Sequence, residues 1–74
     1  MTLVWWRLPR ARRCLVHFRD PHVASLQGVL WRQRGPWLVL RQAEQIDGAG
    51  RAPLPLDGEV LIDRAEVLFL QLLP

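Results

Sequence analysis

The sequence predicts an all-β domain: a small, five-stranded, strongly bent antiparallel barrel with a short N-terminal helix or arm. Three observations favour this fold. Apolar residues alternate with period two from Cys14 onward, turn-forming residues separate the alternating segments at short intervals, and no helical period follows the first dozen residues. With 74 residues, 50% of them apolar and 23% charged, one small domain is the expectation.

Residues 1–13 are predicted to form the helix or basic arm, and residues 14–74 the barrel. The arm combines an apolar patch that includes two Trp residues with a basic cluster, Arg10, Arg12 and Arg13. We expect the apolar patch to dock on the barrel or on another protein, because so much apolar surface is unfavourable on a free tail. The arginines are candidates for contact with nucleic acid or an acidic partner, and a solvated arm is an equal alternative.

The first two strands are predicted over residues 14–19 and 23–32. In the first, alternate residues from Cys14 onward are apolar and fall on one face. In the second, Gly28 stands among the alternating residues, and a glycine inside a strand marks a sharp bend.

A third strand over residues 37–46 is predicted to form a hairpin with the second. With a three-residue loop and Gly35 in the left-handed conformation, Trp31 would lie opposite Trp37. The segment 47–58 consists largely of turn-forming residues and is predicted to be the longest loop.

The last part of the sequence predicts a short strand over residues 59–62, a tight turn at 63–66 and a final strand over 67–73. The final strand is apolar on both faces. Such a strand is either buried on both sides or lies at a sheet edge that another chain covers. Because a domain this small has little core of its own, we predict a homo-oligomer. The predicted interface residues are Val60, Ile62, Val67, Phe69, Leu70 and Leu72.

Charge is divided unevenly along the chain. Residues 1–41 hold eight Arg and one acid, a net charge of +7, whereas residues 42–74 hold two Arg and six acids, a net charge of −4. Separate basic and acidic faces would favour head-to-tail contact between copies. The alternative is that the two sets of charges mix on the folded surface.

The order of strands and glycines resembles that of the Sm and LSm family. Residues 15–20, 26–30 and 37–44 are similar to the first family signature, which runs from a strand through a bent, glycine-containing strand to a strand ending in an acid. Residues 58–62 and 67–70 are similar to the second signature. The resemblance implies an N-terminal helix, a five-stranded bent sheet and ring oligomers, in which the last strand pairs with the fourth strand of a neighbour.

The residues that bind RNA in that family are not matched. Residues 33–37 stand where the family has an Asp-x-x-Met-Asn-like stretch, and Asp63 stands where it has an Arg. An acid there would repel a phosphate backbone, so the fold and the assembly mode can carry over without the RNA site. RNA stays an alternative partner, and the Trp residues are otherwise interface anchors beside solvated arginines. Candidate contacts with a partner or nucleic acid are Arg10, Arg12, Arg13, Trp31, Arg32, Arg34, Trp37 and Arg64.

The chain is also similar to uncharacterised actinobacterial phage proteins encoded among structural genes. Its cationic side chains are all Arg, as expected from a GC-rich genome. This resemblance implies a virion component or assembly protein, located in the virion or the host cytoplasm, with other phage structural proteins as further partners. A host-directed inhibitor with a basic docking face is a third possibility.

No enzyme activity, metal or cofactor is expected. Cys14 and His17 have a Cys-x-x-His spacing, but on a strand this offset places them on opposite faces. Ser25 is the single serine, and no spacing suggests a Ser-His-acid arrangement. A lone cysteine excludes an internal disulfide and suggests a reducing cytoplasm or an assembled particle. The longest apolar runs have four residues, so no transmembrane segment is expected.

Overall fold

The computed structural model describes residues 11–47 and 50–74, which form one antiparallel sheet of six strands. The strand order is β4-β3-β2-β1-β6, with β5 also beside β3. The all-β prediction is therefore confirmed. The elements are β1 (Arg12–Phe18), β2 (Ser25–Arg34), β3 (Trp37–Ile46), β4 (Leu54–Pro55), β5 (Val60–Asp63), a 3-10 turn (Arg64–Glu66) and β6 (Val67–Leu72).

The sheet is not closed, because no pairing joins β5 to β6 in the described part of the chain. It has one strand more than predicted, since the expected loop 47–58 contains β4. β1 begins at Arg12, so Arg12 and Arg13 belong to the first strand and not to an arm. The predicted N-terminal helix and Arg10 lie outside the described residues.

One face of the sheet forms the core. A single layer of strands can bury a face only by curling around it, and the core cluster accordingly draws on β1, β2, β3, β5 and β6. The β1–β6 ladder extends past the end of β1, where the Arg19 amide donates to the Glu66 carbonyl at 2.9 Å. The cluster consists of Cys14, Val16, Leu26, Leu30, Leu38, Leu40, Ala43, Ile62 and Val67.

Gly28, where the sequence predicts a sharp bend in the second strand, lies close to the backbone of β3. A Cβ at this position would meet the Arg41 carbonyl oxygen at 3.0 Å and the Ala43 Cα at 3.1 Å. The pairing register changes at this point because β3 carries one extra residue there, and Gln42 takes a positive φ of 53°. A bulge of this kind increases strand bending and twist, and here it lets the sheet curl.

The β2–β3 hairpin closes through two residues. Arg34 lies opposite Trp37, Gly35 has a φ of 57°, and Pro36 follows. Since proline cannot adopt positive φ, the turn is of type II′, which takes Gly first. The left-handed Gly35 is confirmed, but the predicted three-residue loop and the pairing of Trp31 with Trp37 are wrong. The pairing register shifts a second time between Leu30 and Arg32, because Trp31 is the extra residue of a second bulge. Trp31 therefore has no partner opposite it on β3.

Candidate association site

The outer edge of β6 has no partner strand among the described residues. The Leu73 amide donates to the Arg13 carbonyl at 2.9 Å, which identifies these two residues as a hydrogen-bonded pair with β1. In an antiparallel ladder such pairs alternate with pairs whose backbone groups point away. The amides and carbonyls of Leu70 and Leu72 therefore point to the free edge.

The outer edge of β5 likewise has no partner strand among the described residues. The Arg64 amide donates to the Pro36 carbonyl at 2.9 Å, so this pair faces β3. By the same alternation, the backbone groups of Leu61 point away from the sheet. Each of the two edges thus offers hydrogen-bonding groups to an added strand.

Large apolar side chains are exposed along both edges. The exposed fractions are 55% for Leu61, 58% for Leu68, 50% for Phe69 and 40% for Leu72. Leu61 and Leu68 were not among the predicted interface residues. Leu61 alternates with inward-facing neighbours, which is a signal in the sequence, whereas Leu68 is exposed because it is the extra residue of a bulge opposite β1.

The other predicted interface residues lie inward. Ile62 and Val67 are buried in the core of the chain itself, and Val60 and Leu70 pack partly against it. The structure therefore brings Phe69 and Leu72 to the surface, while these four side chains support the edges from within.

Phe69 is held against β1. Its ring lies 4.3 Å from the His17 ring, between centroids, and His17 Nδ1 lies 3.2 Å from Ser25 Oγ. The sequence spacing gave no sign of this Ser–His contact. His17 Nε2 is buried without a hydrogen-bond partner, so among the described residues no carboxylate orients the ring.

The aromatic and basic residues that were predicted to act together at the hairpin lie in two separate places. Arg34, Gly35, Trp37 and Leu61 line an open cavity of about 470 Å³. Trp31 lies elsewhere and stacks on the guanidinium of Arg41.

This second set is an aromatic–cation–acid arrangement. The Arg41 guanidinium carbon lies 3.9 Å from the centre of the Trp31 ring, and Arg41 Nη2 lies 2.9 Å from Glu59 Oε2. Sequence reasoning missed Arg41, because its partners lie on β2 and in the segment before β5. The stacking holds Trp31 flat on the outer surface of the sheet.

The remaining basic candidates do not converge on one site. Arg12 Nη2 donates to the Leu73 carbonyl at 3.3 Å, beside the end of β6. Arg13 and Arg32 are exposed on β1 and β2, and Arg64 lies in the 3-10 turn.

Asp63 has a structural role. Its Oδ1 accepts a hydrogen bond from the Ala65 amide at 3.0 Å and so caps the 3-10 turn between β5 and β6. Asp63 also lies opposite Trp37 in the ladder, but it is not one of the residues that line the hairpin cavity.

Chemistry at cysteine or a metal has little support in the described ranges. Burial raises the pKa of the Cys14 thiol from its ordinary 9.0 to about 11, against a smaller opposing effect of a backbone hydrogen bond with Leu30. This shift disfavours the thiolate, the reactive form. Residues 11–47 and 50–74 contain no group of three or more His, Cys, Asp or Glu side chains that could hold a metal ion.

No helix in these ranges is long and apolar enough to cross a membrane. A scan of known protein families, a search of curated proteins and a search of solved structures found no match to this chain. The geometry of the two strand edges and of the hairpin is therefore the basis for any functional assignment.

Proposed function

We propose that this chain is a non-enzymatic subunit that acts by protein association and forms oligomers through the edges of β5 and β6. The observation that carries the proposal is that the outer edges of β5 and β6 have no partner strand among the described residues and have exposed leucines beside them. An uncovered apolar edge is an aggregation hazard, and a partner strand removes it by supplying hydrogen bonds and covering the side chains.

The resemblance to the Sm and LSm family supports a finer form of this proposal. In that form the curved sheet is an Sm-like barrel, and β6 of one copy pairs with β5 of the next to build a ring. The resemblance to phage proteins supports a role in a bacteriophage particle or its assembly, in the virion or the host cytoplasm.

A charge on the free edge tests the proposal. Leu68→Asp places a carboxylate where a partner strand would cover it, and burying an unpaired charge is unfavourable. We expect the association constant, measured by light scattering over a concentration series, to fall about tenfold or more, which corresponds to about 1.4 kcal/mol.

Leu54→Asp is the matched control. Leu54 has the same exposed fraction as Leu68, 58%, but lies on β4 beside the far end of β3. Its oligomer should be unchanged, and circular dichroism should show both variants folded. A monomeric wild-type chain, or equal losses in the two variants, would rule out association through this edge.

RNA binding is the alternative function. Arg34 and Trp37 lie opposite each other at the hairpin, so a base could stack on the indole while the guanidinium holds a phosphate. Absorbance at 260 and 280 nm during the same light-scattering measurement distinguishes the two: RNA that copurifies with the oligomer and is lost at high salt would place this function first.

A further inference from the structure

The cavity at the β2–β3 hairpin combines a cation with an apolar surface. Arg34 and Trp37 face each other across the turn, and Leu61 of β5 completes the lining. Trp37 is 42% exposed, and both Arg34 and Leu61 are exposed as well. Arg and Trp are among the residue types that contribute most of the binding energy in protein–protein interfaces.

The cation in this cavity is available for binding. Arg41, on the same sheet, is already stacked on Trp31 and paired with Glu59. The guanidinium groups of Arg32 and Arg34, by contrast, make no hydrogen bond or ion pair with the described residues. A planar guanidinium in this condition binds a carboxylate through two parallel hydrogen bonds.

The turn limits the conformations of the hairpin tip. Gly35 supplies the positive φ that the turn requires, and the Pro36 ring fixes the φ of the second turn residue. Binding to a surface that is already ordered costs less conformational entropy than binding to a flexible loop.

We propose that this hairpin face binds a segment of another protein that carries a carboxylate beside an apolar side chain. The carboxylate meets Arg34, and the apolar side chain packs on Trp37 and Leu61. Arg34 is the one cation among the described residues that line this cavity. One cation beside two apolar side chains favours such a segment over a nucleic acid strand, because a continuous row of phosphates is bound by several cations.

Fluorescence anisotropy with a short labelled peptide tests this inference. In the probe, Glu alternates with Leu and Phe; a second peptide has Gln in place of Glu, and labelled oligouridine is the third probe. We expect the Glu peptide to bind most tightly and Arg34→Gln to weaken it about tenfold. Arg34→Lys, which keeps the charge without the planar fork, should lie between Arg34→Gln and the wild type.

Arg19→Gln is the control, because Arg19 is an equally exposed cation on the turn that follows β1. The inference is overturned if the Glu and Gln peptides bind equally, if Arg19→Gln weakens binding as much as Arg34→Gln, or if only oligouridine binds. At a protein concentration at which the wild type is monomeric, so that no neighbouring copy covers Leu61, Leu68→Asp should bind the Glu peptide like the wild type. Loss of self-association is thereby separated from loss of this site.

Discussion

At the scale of single residues, the chain has an unusual alkaline titration. It contains no Tyr and its ten basic side chains are all Arg, so Cys14 is the one side chain expected to titrate between pH 9 and 11. Cys14 is fully buried in the core, and burial raises its pKa to about 11. The protonation of one thiol is therefore linked to folding.

The free energy of unfolding should fall by about 2 kcal/mol as the pH rises from 9 to 11. In this window the unfolded thiol has lost its proton and the folded thiol still holds it, so high pH favours the unfolded state. Below pH 9 the contribution is complete. Urea unfolding at a series of pH values measures the effect.

Cys14→Ala is the control for this titration. It should be less stable at every pH, because it leaves a cavity in the core, but its stability should not change between pH 9 and 11. A wild-type profile that is equally flat would contradict the linkage.

The sequence predicts correctly which side chains face the core where strand alternation determines their direction. It predicts their direction poorly where a bulge interrupts the alternation. The inward positions of Cys14 and Val16 follow from period two. Trp31 and Leu68 are each the extra residue of a bulge, and a bulge depends on how two strands bend together. The contact of Arg41 with Glu59 spans 18 positions across a loop, so no local pattern reveals it.

At the scale of elements, the connection between β5 and β6 sets the direction of both free edges. It is a single 3-10 turn, Arg64–Glu66, capped by Asp63 at its start and closed by the Val67 amide, which donates to the Arg64 carbonyl. Because the connection is this short, a change in its backbone conformation would displace the start of β6.

Asp63→Ala should lower the free energy of unfolding by about 1 kcal/mol through loss of the cap. Asp63→Asn keeps an oxygen that accepts from the Ala65 amide, so its stability should be close to that of the wild type. Urea unfolding at neutral pH compares the two. Equal losses in both would mean that the charge of Asp63 matters and the cap does not.

β1, the β2–β3 hairpin, β5 and β6 were predictable, because glycine, proline and the alternation of apolar residues mark them clearly. β4 was not, since two residues of which one is proline look like turn. The openness of the sheet was also beyond prediction, because whether the free edges of β5 and β6 meet depends on the twist accumulated over the whole sheet and not on any one residue.

At the scale of the whole molecule, the curled sheet protects its backbone amides unequally from hydrogen exchange with solvent. The amides of Phe69 and Gln71 face β1, whereas those of Leu70 and Leu72 face the free edge. Hydrogen exchange in the monomer should therefore be slow at the first two amides and fast at the other two.

Exchange at Leu70 and Leu72 should slow when the protein concentration is raised until oligomers form. A strand added to β6 would accept hydrogen bonds from these two amides, and exchange by NMR resolves them individually. Unchanged rates in a sample that light scattering shows to be oligomeric would mean that the copies associate through another surface.

The pairing of β1 with β6 also determines how the domain would respond to force. β1 starts and β6 finishes at the same end of the pair, where the Leu73 amide donates to the Arg13 carbonyl. Tension applied between these two ends would act on the outermost hydrogen bond alone and would then break the remaining hydrogen bonds of the pair one after another. Strands pulled along their length share the load over all their rungs. The domain should therefore yield at low force when β1 and β6 are pulled apart from this end.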